Sequence, residues 1–144
     1  MSAAAPPDTC LLEPFGVSVA ALTFEQAVRR VIEWARAPDR GRLVCLANVH
    51  TLIETTRHRC MHRALLRADL VLPDGMPLVW QMSGQKVRTT RIAGMDLFPA
   101  LCRAAEEAGV PVFFLGATDA TWRMMRARLA SQHPRIRKIG RAHV

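Results

Sequence analysis

Tyrosine is absent from the 144-residue chain, and aromatic residues make up only 6% of it. That leaves little from which to build a base-stacking platform, so nucleic acid is not an expected partner. No apolar run approaches the roughly 20 residues that a membrane-crossing helix needs. The first residues, Met1-Ser2-Ala3-Ala4-Ala5-Pro6-Pro7-Asp8, have neither the basic start nor the apolar centre of a signal peptide. The expectation is a chain that stays in the cytoplasm. Its four cysteines, Cys10, Cys45, Cys60 and Cys102, include no C-x-x-C pair, which favours reduced thiols over a disulfide frame or a zinc site. Cys45 and Cys102 fall in apolar segments and read as small buried hydrophobes. Also missing are a G-x-G-x-x-G fingerprint, a Walker sequence, a Ser-centred nucleophile elbow and an Asp-x-Asp pair. Dinucleotide, P-loop and nucleophilic-serine chemistry therefore have no sequence support.

Half the residues are apolar and 22% are charged, as in a globular domain with a real core. The formal charge of +8 suits anionic partners such as nucleotides, lipid phosphates or an anionic membrane surface. A solvated arginine-rich surface would give the same balance.

In chain order, residues 1–14 read as a flexible leader rich in Ala and Pro, and Phe15 to Val19 alternate as a short strand would. Thr23 and Gln26 have capping-box spacing, and the apolar spacing predicts a helix from Phe24 to about Ala37, ahead of Pro38. Arg42–Ala47 reads as a buried strand ending in Asn48-Val49-His50. A second capping pattern, Thr51 with Glu54, predicts a short helix, and Cys60–Arg67 a further one. Leu70-Val71-Leu72-Pro73 is an apolar run too short for a helix, stopped by the tight turn Pro73-Asp74-Gly75; it reads as a buried strand. Helices are predicted over Met76–Met82 and, after Gly94 and Asp96, along the stripe Leu97, Leu101, Ala104, Ala105 and Ala108, closed by Gly109. Gly84 and the basic stretch Lys86–Arg91 form the loop between them. Val110–Leu115 is a buried strand ended by Gly116, and a helix from about Asp119 to Gln132 precedes Pro134. Alternating strands and helices predict an α/β fold: a single Rossmann-like domain with a parallel sheet flanked by helices on both faces. The last seven residues, Lys138 to Val144, match what a widely used sequencing adapter encodes when read in frame. They are expected to be a non-native tail, with a short native strand as the alternative.

In open α/β sheets ligands sit beyond the carboxyl ends of the strands. Asp74 stands at such an end and can serve as a general base toward a substrate hydroxyl, or simply cap the Met76 helix. Asn48, at the end of the preceding strand, offers an amide donor and acceptor to a sugar or base, or acts as a cap or turn residue. Arg91 has the fork that suits a phosphate, and Gly94 lets backbone approach a ligand closely. Gly116 ends a strand before a helix whose first N–H groups could cradle phosphate. His58, Cys60 and His62 invite a metal reading, but no Glu follows His58 as a metalloprotease helix requires, and no third ligand is evident. They read as a polar helix face, and no metal is expected. His50 is given no role.

The blocks Val44-Cys45-Leu46-Ala47-Asn48-Val49-His50, Arg67-Ala68-Asp69-Leu70-Val71-Leu72-Pro73-Asp74-Gly75, Arg91-Ile92-Ala93-Gly94-Met95-Asp96-Leu97-Phe98 and Val112-Phe113-Phe114-Leu115-Gly116 together resemble the WecG/TagA/CpsF family of bacterial glycosyltransferases (glycosyltransferase family 26). The resemblance spans nearly everything from Phe15 to Arg137. It implies inverting, metal-independent transfer of N-acetylmannosamine, or in some relatives another hexose, from a UDP-sugar to a polyprenyl-pyrophosphate-linked saccharide in envelope or exopolysaccharide synthesis. It further implies Asp74 as the catalytic base, Asn48, Arg91 and Gly94 in the pocket, and Gly116 at the nucleotide-contacting turn. Leu46 stands where the family often has a sugar-contacting Thr. The family's chain continues past this point with further nucleotide contacts and a membrane-docking tail, so the α/β domain over residues 15–137 is expected to be incomplete at its C-terminus. The positive charge suits peripheral attachment to the anionic inner face of the cell membrane. A homo-oligomer is compatible with this reading but not specified by it. Alternatives are a nucleotide-binding oxidoreductase on a related frame, or a non-catalytic nucleotide-binding module.

Overall fold

The computed structural model describes residues 10–37, 40–84 and 88–142. It is an α/β protein, with parallel strand pairs flanked by helices. Its residues group into two compact units: residues 1–27 with 38–97, and residues 28–37 with 98–144.

In the first unit, β1 (Cys10–Leu12) and β2 (Val19–Ala21) pair antiparallel. Between them Phe15 and Gly16 take left-handed backbone, with φ of 57° and 73°, inside a 3-10 turn over Pro14–Gly16. The strand expected over 15–19 therefore starts later, because a ladder needs extended φ where these two residues reverse the chain. Strand β1 lies within the segment expected as leader; residues 1–9 lie outside the described residues. Helix α1 (Phe24–Arg36) opens with the expected capping box. Gln26 N–H donates to Thr23 Oγ1 at 3.3 Å, and Thr23 N–H donates to Gln26 Oε1 at 2.8 Å.

Strand β3 (Val44–Ala47) and β4 (Leu70–Pro73) pair in parallel, with Val44 opposite Leu70 and Ala47 opposite Pro73. Every residue of β4 is buried, the continuous apolar pattern expected of a strand covered on both faces. Helices α2 (Val49–Arg57) and α3 (Arg59–Arg67) make the crossover between them. Helix α4 (Met76–Ser83) follows β4, and α5 begins at Gly94 and runs to Ala108. One apolar cluster holds the unit together and includes Val19, Ala47, Leu52, Val71, Leu78 and Met82. Each of the larger members contributes roughly 1.5–3 kcal/mol by leaving water.

At the amino ends of β3 and β4, Asp69 fixes the register. Its N–H donates to the Leu43 carbonyl at 2.8 Å, and its Oδ2 accepts the Leu43 N–H at 2.8 Å. Arg40 pairs with the same carboxylate, and Arg42 lies 3.9 Å from it. Desolvation pushes the Asp69 pKa up, but the Leu43 N–H and the two guanidinium groups outweigh it and hold the carboxyl below the ordinary aspartate value.

In the second unit, β5 (Val112–Leu115) and β6 (Lys138–Ala142) pair in parallel, with α6 (Asp119–Gln132) between them in sequence. Cys102, Phe114, Leu129 and Ile136 form its core, and Phe98, Phe114 and Trp122 stack in tilted pairs at 5.8 and 5.4 Å. Lys138–Ala142, within the segment expected as a non-native tail, pairs as β6 through backbone groups that any sequence supplies, which leaves its origin open; residues 143–144 lie outside the described residues. Burial raises the thiol pKa values of Cys102 and of half-buried Cys45, as expected of small hydrophobic cysteines. Glu106 on α5 accepts the Arg135 N–H at 2.6 Å and places Oε2 3.4 Å from His133 Nδ1, with both side chains buried.

Candidate active site

Four of the five residues expected from the sequence belong to the first unit. Asn48 and Asp74 each stand one residue beyond the last paired positions of β3 and β4. The Asp74 N–H donates to the Ala47 carbonyl at 2.9 Å, extending the ladder by one bond. Asn48 is in turn so near the following residue that a side chain on Gly75 would meet the Asn48 Cβ at 3.5 Å. The parallel register alone brings these two polar residues to one end of the strand pair.

Their side chains have different commitments. Asn48 is the N-cap of α2: its Oδ1 accepts the Thr51 N–H at 2.9 Å and the Thr51 hydroxyl at 3.1 Å. The helix expected to open at Thr51 therefore starts at Val49. Thr51 and Glu54 have capping-box spacing, but the asparagine three residues earlier takes the cap, which Asn does at least as well as Thr. Asp74 is half-buried and caps nothing. The N-cap of α4 is Gly75, without a side-chain capping bond. Among the described residues, the Asp74 carboxylate has no hydrogen-bond or ion-pair partner. The capping role that the sequence allowed it is not the one it plays.

The third strand-end segment arrives through the Pro73 carbonyl, which accepts the Ile92 N–H at 2.9 Å. Ile92 and Ala93 are buried, while Arg91 is exposed beside them. Arg91 Nη2 lies 3.2 Å from Asp96 Oδ2 in the first turn of α5, where a carboxylate also meets the positive helix end. With both groups about half exposed, the pair is worth little as stability, yet it gives the guanidinium a direction. Gly94 begins α5 against Leu46, whose Cδ1 would lie 3.1 Å from an added Cβ. The close backbone approach expected at Gly94 is thus made first to a side chain of β3.

Gly116 belongs to the second unit. It has φ of +97° at the end of β5, and Ala117 after it has φ of 68°, two consecutive left-handed residues before Thr118 caps α6. His58 sits at the break between α2 and α3 with Nε2 3.0 Å from Glu54 Oε2, and Cys60 is exposed. Among the described residues no three His, Cys, Asp or Glu side chains converge as a metal site would require. Sequence reasoning passed over Thr51, Asp96 and Leu46 as partners of the site. The Asn-x-x-Thr spacing is a signal for the first; nothing local announces the other two.

Residues 12–144 match the glycosyl transferase WecG/TagA/CpsF family. The chain belongs to that family. Over 81 residues it is 33% identical to an N-acetylglucosaminyldiphosphoundecaprenol N-acetyl-beta-D-mannosaminyltransferase of Bacillus spizizenii, a stretch covering 55% of this chain and 31% of the relative. The chain thus spans about a third of the relative it matches. Among the described residues, no helix of this family member is long and apolar enough to cross a membrane.

Proposed function

We propose that the protein is an inverting glycosyltransferase. It moves a hexose or N-acetylhexosamine, of the N-acetylmannosamine type, from a UDP-sugar to a saccharide carried on a polyprenyl pyrophosphate. The observation that carries this reading is the half-buried Asp74 carboxylate at the end of β4, which has no hydrogen-bond or ion-pair partner among the described residues, next to the strand end that carries Asn48. Family membership and the relative's acceptor, a lipid-diphosphate-linked sugar by its name, support the substrate class.

In this reading the acceptor hydroxyl approaches the anomeric carbon on the face opposite the nucleotide. Asp74 takes its proton as the new C–O bond forms and the bond to the UDP oxygen breaks. UDP leaves with the electron pair of that bond, and Arg91 faces the negative charge that builds on the diphosphate. Backbone N–H groups of the Gly116 turn, in the second unit, are the nucleotide contact that the family resemblance implies. Charge on the leaving group is met by arginine, so the scheme requires no metal ion. The net charge of +8 favours attachment to an anionic bilayer carrying the lipid-linked acceptor, at the cytoplasmic face in envelope or exopolysaccharide synthesis.

The test is transfer from a UDP-N-acetylhexosamine to a short polyprenyl-diphosphate-linked sugar. Asp74→Asn should lower kcat by roughly 10²–10⁴-fold while UDP-sugar binding survives. Full activity in that variant removes Asp74 from the mechanism.

A further inference from the structure

The structure assigns a polarity to the Asn48 amide: its NH₂ group alone is available to a substrate, and Thr51 is the positioning residue that makes it so. This rests on the proposed UDP-sugar reading. From sequence, the amide could offer either a donor or an acceptor. The fold removes that choice. A backbone N–H can only donate, so the atom 2.9 Å from the Thr51 nitrogen must be the amide oxygen. The Thr51 hydroxyl, 3.1 Å away, is a second donor to the same oxygen. Two donors on one carbonyl occupy both lone pairs and turn the amide about its Cβ so that Nδ2 is left over. Among the described residues Nδ2 has no partner, and Asn48 is half-buried at the strand end beside Gly75.

The group that meets Asn48 must therefore be an oxygen acting as acceptor. In a UDP-sugar that is either an oxygen of the sugar, a hydroxyl or an acetamido carbonyl, or an oxygen of the diphosphate. Leu46 lies two residues back on β3 and so shares the face of Asn48; packed on Gly94, it offers nothing polar to compete. A substrate that presents only a donor at this point would leave two N–H groups facing each other.

The experiment compares three variants by melting temperature, by titration with UDP and with UDP-N-acetylhexosamine, and by initial rates. Asn48→Asp keeps an acceptor for the cap but has no N–H, so it should melt no lower than the parent and bind UDP-sugar at least about tenfold more weakly. If the loss appears with UDP-sugar and not with UDP, the partner is a sugar oxygen; if it appears equally with both, the partner is on the diphosphate. Thr51→Val removes the hydroxyl and should raise KM for the donor several-fold with kcat nearly unchanged, and Thr51→Ser should restore it. UDP-sugar binding by Asn48→Asp as tight as the parent's overturns the assignment and leaves the transferase reading standing. Failure of the parent to bind UDP-sugar at all removes that reading, and the assignment with it.

Discussion

Asn48 and Asp74 occupy equivalent places, one residue past Ala47 and Pro73 at the ends of neighbouring parallel strands, yet among the described residues only the Asn48 side chain is tied into the backbone. Its oxygen closes the first turn of α2, whereas the Asp74 carboxylate closes nothing on α4. The Asn48 side chain therefore serves the fold, and the Asp74 carboxylate carries no such structural bond among the described residues.

That asymmetry is measurable as stability. Asn48→Ala should cost about 1 kcal/mol in urea unfolding, the usual loss for an N-cap. Asp74→Asn should stay within about 0.5 kcal/mol of the parent, as substitutions away from structural contacts do. Equal losses in the two variants would mean that Asp74 carries an unrecognised structural bond.

Asp69 should make the first unit sensitive to acid. Its folded pKa lies below the ordinary value, so the unfolded chain binds its proton first as pH falls. The stabilisation is fully present above the unfolded value near 4 and is lost as pH drops through the folded value. Asp69→Asn should therefore be less stable than the parent at pH 7, on the order of 1–3 kcal/mol for lost charge-assisted bonds. The difference should shrink as pH falls below the unfolded value and through the lower folded one. A difference independent of pH would show that the carboxylate's charge is not what matters.

Leu46 and Gly94 should be energetically coupled. Gly94→Ala brings a methyl group to 3.1 Å from Leu46 Cδ1, so Leu46 must give by a few tenths of an ångström and any cost of the substitution comes from that shift. In a Leu46→Ala background the same change should cost much less, which a double-mutant cycle of unfolding free energies would register. Additive losses would place the constraint elsewhere.

Glu106 should hold the chain between α6 and β6. Glu106→Ala leaves the Arg135 N–H without its acceptor and takes the carboxylate away from beside buried His133, a loss of about 1–3 kcal/mol. Glu106→Gln keeps an oxygen for the Arg135 N–H and should lose less. Hydrogen exchange at the Arg135 amide should rise in the alanine variant and not in the glutamine one.

Much of this was legible in the sequence because local signals agreed with the fold. The Leu70–Pro73 strand, the α1 capping box and helix α6 before Pro134 lie where apolar spacing and breakers put them. Where two local signals competed, the stronger chemistry won, as when Asn48 took the cap that the Thr51–Glu54 pattern offered. Phe15 and Gly16 were misleading for another reason: alternation cannot reveal that φ turns positive within it. Strand β5 read as fully buried, yet Phe113 and Leu115 are 50% and 72% exposed, since an apolar run says what a strand could bury and not what covers it. The basic residues expected in the loop before Arg91 lie partly outside the described residues, at 85–87. For the site, the strand-end positions were readable, but the partners of Asn48, Arg91 and Gly94 depend on distances between segments.

The Asp69 clamp has a consequence at the far end of the strands it fastens. Sliding β4 by a single residue against β3 would turn its side chains to the opposite face, sending Asp74 away from Asn48. The carboxylate that opposes such a slide sits about 13–17 Å upstream of Asp74, four to five strand residues away. Under the proposed function, the alignment of Asp74 is thereby set from the opposite end of the strands, and loosening it there should lower transfer activity with Asp74 itself unchanged.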